Sequence, residues 1–214
     1  VTGLYAITAD YQDSPDELAR AVRAALNGGA RIIQYRRKSA PDPYREASLL
    51  LTECRAHGVP LIINDDVELA EAIGADGVHL GKDDTDLAHA RARLGAHALI
   101  GVSCYDSLQR AVDAQAQGAD YVAFGRFFPS RTKPHAPCAR LETLRAAGAL
   151  LTVPIVAIGG ITVDNASALL KAGAHWLAVI DAIFGTPDPE HAARAFTALF
   201  ETHSGEFATP ASPS

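Results

Sequence analysis

What most constrains this chain is a rhythm. Short apolar runs that read as buried strands alternate with helical stretches, and the pair repeats eight times, with candidate strands at residues 4–8, 31–36, 61–65, 77–81, 99–104, 121–125, 154–159 and 176–181. Strands joined through helices run parallel in one sheet. The first helix has its start signal at Ser14, Pro15, Asp16 and Glu17 and its stop at Asn27, Gly28 and Gly29. Leu18, Val22, Ala25 and Leu26 form the stripe that covers the sheet. Gly-Ala pairs at Gly29-Ala30, Gly74-Ala75, Gly118-Ala119 and Gly173-Ala174 precede strands, as expected of a recurring tight turn in which glycine takes a positive φ. Eight such units predict an α/β fold, a single-domain (β/α)8 TIM barrel over residues 1–202. Residues 203–214, rich in Ser, Pro, Ala and Thr, have the composition of a disordered tail. An open doubly wound sheet is the alternative, but GxGxxG after the first strand is missing.

The length of 214 residues suits one large domain. A formal charge of −6 gives no net field towards polyanions, which argues against nucleic acid or an anionic membrane as partner, so any anion site must be local. Cys54, Cys104 and Cys138 are scattered without a CxxC, as expected of reduced thiols in a cytoplasmic protein. No apolar run reaches the ~18 residues of a membrane span, and no succession of basic, apolar and small residues marks a secretory leader. The sequence leaves a homo-oligomer open.

In such a barrel, ligand groups belong at the carboxyl ends of strands and in the loops that follow. The stretch YVAFGRFFPSRTK, from Tyr121 to Lys133, crowds Arg126, Ser130, Arg131, Thr132 and Lys133 beyond a strand end, a donor set suited to a phosphate or diphosphate and otherwise a solvated basic loop. On the second strand, Gln34, Arg36 and Lys38 share one face, and Tyr35 and Arg37 share the other. Three polar groups facing inward need a ligand or solvent as partner. Asn64, Asp65 and Asp66 end the third strand, and Lys82, Asp83 and Asp84 follow the fourth. Asp65 and Asp84 fit a hard cation such as Mg2+ with phosphate oxygens, while Asp66 and Asp83 read better as helix caps. His79 points inward, more in keeping with a hydrogen-bonded core histidine than with a catalytic one. Ser103 lies on the inward parity of the fifth strand. Gly159 and Gly160 after the seventh strand, with Ile180 and Asp181 ending the eighth, occupy the region where barrels build phosphate sites.

Taken together, QYRRK from Gln34, NDDVELA from Asn64, DGVHLGKDD from Asp76, GVS from Gly101, GADYVAFGRFFPSRTK from Gly118 and VAIGGIT from Val156 resemble thiamine-phosphate synthase, in order and in register with the strand ends. The resemblance implies a transferase acting on phosphorylated small molecules. With magnesium, a hydroxymethylpyrimidine diphosphate loses diphosphate, and the nitrogen of a thiazole phosphate, carboxylated or not, captures the resulting cation. It also implies that Gln34, Arg36, Lys38, Asn64, Ser103 and Lys133 hold the pyrimidine diphosphate, with the rest of the run, Tyr35 and Arg37, assigned there too. Arg36, Ser103 and Lys133 carry the catalytic weight. Asp65 and Asp84 ligate the metal; Ser130, Arg131, Thr132, Gly160, Ile180 and Asp181 take the thiazole phosphate.

The chain departs from that pattern at Asp181 in place of serine, Arg126 in place of proline, Lys82 in place of glutamine and Tyr105 in place of histidine. Two alternatives stand beside this reading. A thiazole tautomerase would rely on a histidine at the Tyr105 position, and a nonenzymatic regulator would not need both metal carboxylates.

Overall fold

The computed structural model describes residues 2–10, 14–81, 86–129 and 138–206. Eight strands, β1 (Gly3–Ile7), β2 (Ile32–Tyr35), β3 (Leu61–Asn64), β4 (Gly77–Leu80), β5 (Leu99–Tyr105), β6 (Tyr121–Gly125), β7 (Ile155–Ile158) and β8 (Trp176–Val179), pair in sequence order as parallel neighbours. Pairing of β8 with β1, from Gly3 opposite Trp176 to Ala6 opposite Val179, closes the barrel. Between the strands lie α1 (Pro15–Asn27), α2 (Pro43–His57), α3 (Val67–Ile73), α4 (Leu87–Leu94), α5 (Leu108–Ala116), α6 (Leu141–Leu150) and α7 (Val163–Lys171). After β8 come a single turn, α8 (Asp181–Phe184), and the long α9 (Pro189–Glu206). The helix therefore takes in residues 203–206 of the expected tail; residues 207–214 lie outside the described residues.

Local chemistry explains the element ends. Ser14 Oγ accepts from Glu17 N at 3.2 Å, Asp42 Oδ1 from Arg45 N at 3.0 Å and Asp66 Oδ1 from Leu69 N at 2.8 Å, which satisfies orphan donors at three helix starts. Asp66 is thus the cap that the sequence suggests. At the amino end of the barrel the four Gly-Ala turns are one motif: Gly29, Gly74, Gly118 and Gly173 have φ of 96°, 66°, 91° and 103°. In each, the alanine N–H reaches back five residues, as Ala75 does to Ala70 O at 2.9 Å, the Schellman pattern that a positive φ at glycine permits.

Strand alternation divides the core. Leu4, Ala6, Ile33, Ile63, Val78 and Phe124 face outward and pack under the helices. Tyr5, Ile32, Ile62, Tyr121, Val156 and Trp176 face inward and fill the barrel axis. Among the described residues no helix is long and apolar enough to cross a membrane.

Candidate active site

Two connected hollows open at the carboxyl ends of the strands. An inner chamber of about 420 Å³ is walled by Tyr5, Ile7, Val156, Ile158, Ala178 and Ile180 and by polar groups near its mouth. An outer cleft of about 500 Å³ is bordered by Arg36, Lys38, Asn64, Asp65 and Asp66. Both fall in the size range of small-molecule sites. Arg36, Asn64, His79, Ser103 and Tyr105 border both, so they stand at the junction.

On β2 the alternation separates two kinds of polar residue. Gln34, 2% exposed, donates from Nε2 to Tyr5 Oη at 2.7 Å inside the barrel. The backbone of Arg36 is clipped to β1, since Thr8 Oγ1 accepts from Arg36 N at 2.9 Å and lies 3.3 Å from Arg36 O. Tyr35 and Arg37 border the outer cleft, but their polar ends turn to the helix side. Tyr35 Oη donates to Glu46 Oε2 at 2.9 Å, and Arg37 Nη1 donates to Glu46 Oε1 at 3.0 Å. Arg37 Nε also lies 3.5 Å from Asp10. Glu46 is 1% exposed, so this carboxylate needs both donors. Burial, and then the Glu46 carboxylate, push the Tyr35 phenol pKa up. The pair anchors the strand end to α2, which leaves the other three residues of the run, Gln34, Arg36 and Lys38, at the hollows.

At the end of β3, Asp65 takes a left-handed φ of 63°, a conformation that Asp tolerates better than most residues. Its amide donates to His79 O at 2.9 Å, and its carboxylate accepts from Asn64 Nδ2 at 2.6 Å. Among the described residues no group of three His, Cys, Asp or Glu converges on a common point. One or two carboxylates together with phosphate oxygens suffice for Mg2+, so Asp65 at the edge of a polar cleft fits such an ion. Lys82, Asp83 and Asp84 lie outside the described residues.

On β5, Ser103 and Tyr105 reach the junction, where the register with β6 shifts and Tyr105 takes φ 57°. Arg110 of α5 holds this corner: its Nε donates to Ser103 O at 2.7 Å and its Nη2 to Gly81 O at 3.0 Å, with the guanidinium 6.0 Å over the Tyr105 ring. The peptide from Gly125 to Arg126 is cis, at the position where the resemblance has proline. Arg126 and Pro129 line the inner chamber; Ser130, Arg131, Thr132 and Lys133 lie outside the described residues. Gly160, at φ 64°, passes so close to this segment that a Cβ would fall 2.3 Å from Pro129 O. Gly160, just before α7, and Ile180 and Asp181, at the start of α8, line the chamber wall.

The structure thus brings Gln34, Arg36, Lys38, Asn64, Asp65, Ser103, Gly160, Ile180 and Asp181 to one end of the barrel around the two hollows. Reading the sequence missed Tyr5, Tyr121 and Arg110. Tyr5 Oη lies 2.8 Å from Tyr121 Oη, which lies 3.1 Å from His79 Nδ1, and His79 Nε2 lies 2.9 Å from Ser103 Oγ. Inward parity with Ile7 was the available signal for Tyr5.

Known proteins share this sequence and fold. Residues 4–183 match the family model described as thiamine monophosphate synthase. A thiamine-phosphate synthase of an Azoarcus species is 56% identical over 203 residues, spanning 94% of this chain and 98% of its own. One from Methylococcus capsulatus is 53% identical over 200 residues, 92% and 89% of the two chains. Among solved structures, thiamine phosphate pyrophosphorylase from Pyrococcus furiosus superposes with a TM-score of 0.84 at 37% identity, covering 94% of this chain and 96% of that one. With the family model and these relatives matching nearly its whole length, the chain belongs to the thiamine-phosphate synthase family of transferases.

Proposed function

We propose that this protein joins a hydroxymethylpyrimidine diphosphate to a thiazole phosphate across the junction of the two hollows. The observation that carries this reading is that Arg36, Asn64 and Ser103 border both an apolar chamber and a polar cleft. A bond broken at that boundary leaves the organic fragment in the chamber, sheltered from water, and sends the diphosphate into the cleft. Arg36 and Lys38 stabilise the negative charge that develops on the departing oxygens, and they do so more in the transition state than in the ground state. Asn64 and Ser103 add neutral hydrogen-bonding groups. Lys133, outside the described residues, is assigned to the same diphosphate.

Asp65, with Asp84 beyond the described residues, would hold a magnesium ion, which when bound supplies further charge neutralisation on the diphosphate. Gly160 and the backbone around Ile180 and Asp181 receive the thiazole phosphate, and Ser130, Arg131 and Thr132, outside the described residues, are assigned to the same group. The Asp181 carboxylate must face away from that phosphate or be offset by nearby cations such as Arg126. No protein nucleophile is required: the thiazole nitrogen needs only to be held behind the leaving group. Such chemistry suits a cytoplasmic protein.

Mixing the protein with both substrates and magnesium should yield thiamine phosphate and diphosphate in equal amounts, and EDTA should stop the reaction until magnesium is restored. Isomerisation of the thiazole without coupling would replace this reading by the tautomerase one. Full turnover in EDTA would remove Asp65 and Asp84 from the metal role.

A further inference from the structure

The chain of contacts through the barrel has a direction. It begins at Gln34, whose Nε2 faces Tyr5 Oη, and continues through Tyr121 and His79 to Ser103 Oγ at the junction. Burial is the largest cause raising the pKa of Tyr5 and of Tyr121, so both stay phenols with one hydrogen each. An amide nitrogen donates and does not accept. Tyr5 therefore accepts from Gln34 and passes its own hydrogen to Tyr121, which passes its own to His79 Nδ1. A ring nitrogen that accepts carries no proton, so the imidazole proton sits on Nε2 and points at Ser103. Ser103 Oγ, already accepting, is left with its own hydrogen to give. A doubly protonated ring would instead put a donor on Nδ1, leaving the buried Tyr121 hydrogen without that acceptor.

We propose that Tyr5 and Tyr121 are positioning residues: their hydroxyls relay the orientation of the Gln34 amide to His79, fix the ring as the Nε2–H tautomer and so make Ser103 a donor towards the diphosphate. The last step rests on the function proposed above. The reversed chain, with the Gln34 amide turned over, would make Ser103 give its hydrogen to His79 and present only lone pairs to an anionic ligand that itself offers only acceptors. The packing holds the phenols in place. The Tyr5 and Tyr121 rings meet edge to face with centroids 6.0 Å apart, and the Tyr121 ring occupies the space where a Cβ on Gly101 would lie, 2.0 Å from its Cζ.

Nitrogen-15 NMR of the free protein reads the tautomer directly and needs no substrate. His79 in the wild type should show the proton on Nε2, and Tyr121→Phe, which keeps the ring, should give a mixture of tautomers. In coupling assays Tyr121→Phe and Tyr5→Phe should each lower kcat about tenfold, with KM for the pyrimidine diphosphate changed less than threefold. Ser103→Ala should cost less in the Tyr121→Phe background than in the wild type, because both changes break one chain. A wild-type Nδ1–H tautomer overturns the proposal. So does unchanged kcat in both phenylalanine variants, or a fall in kcat with the tautomer unmoved, which would mark a merely structural role. If Tyr121→Phe does not fold, the wild-type tautomer and Tyr5→Phe decide. Should the protein fail to couple the substrates at all, the tautomer result still stands, and only the assigned reaction falls.

Discussion

The two ends of the barrel use polar residues for opposite purposes. At the amino end they are paired with one another. Arg91 of α4 donates to Ala98 O at 2.6 Å, to Gly118 O at 3.1 Å and to Asp120 Oδ2 at 2.5 Å, and the same Asp120 oxygen accepts from Ile100 N at 2.7 Å. Asp76 repeats the device two units earlier, accepting from Leu61 N at 2.8 Å. At the carboxyl end the loops differ from one another, the left-handed non-glycine residues Asp65 and Tyr105 sit there, and Arg36, Asn64 and Ser103 border open space. Saturated pairing fixes a frame, and groups left facing a hollow are available to a ligand; function and stability are thereby assigned to opposite ends of the same strands.

This contrast can be broken by substitution. Arg36→Ala should lower kcat/KM for coupling by about a hundredfold to a thousandfold, the usual cost of one transition-state donor, with an unchanged melting temperature. Near wild-type turnover would remove the carboxyl end from the chemistry. Arg91→Ala should do the reverse. Loss of its charged hydrogen bonds should cost about 2 kcal/mol of stability, roughly 4–8 °C in melting temperature, and leave kcat within a factor of two. A large fall in kcat there would mean that the frame and the site are coupled. The smallest effect is a reference for both ends. Cys54 and Cys104 are fully buried between sheet and helices, and burial pushes their thiols up to about 12, so they stay protonated at pH 8. A charged disulfide reagent should react promptly with exposed Cys138 alone, the other two following only on denaturation. Prompt reaction of either buried thiol would show that the layer joining the two ends opens, and the contrast would no longer be between ends of one rigid frame.

The barrel was legible because its signals are local. Each Gly-Ala turn is closed by a bond reaching back five residues, and the parity of Gln34 and Arg36 follows from the two-residue period of a strand. The cap at Asp66 was readable for the same reason. Contacts made across the axis were not. Tyr5 and Tyr121 lie within apolar runs and read as core, and their hydroxyls meet only because closure brings together residues 116 apart in sequence. Glu46 falls on the buried stripe of α2 with Leu50 and Cys54, but nothing local shows that Tyr35 and Arg37 will turn to it. Arg110 reaches Ser103 and Gly81 from a helix whose docking angle no periodicity specifies.

Gly101 also sets how deep a molecule can enter. With a hydrogen where other residues carry a carbon, it admits the Tyr121 ring, and the two tyrosines pack in one inward cluster with Ile32, Ile62 and Trp176, none of which lines the chamber. A guest therefore meets Tyr5 and not that packing. That part of the interior has only its packing to keep, while the chamber side must keep both its shape and the order of its protons.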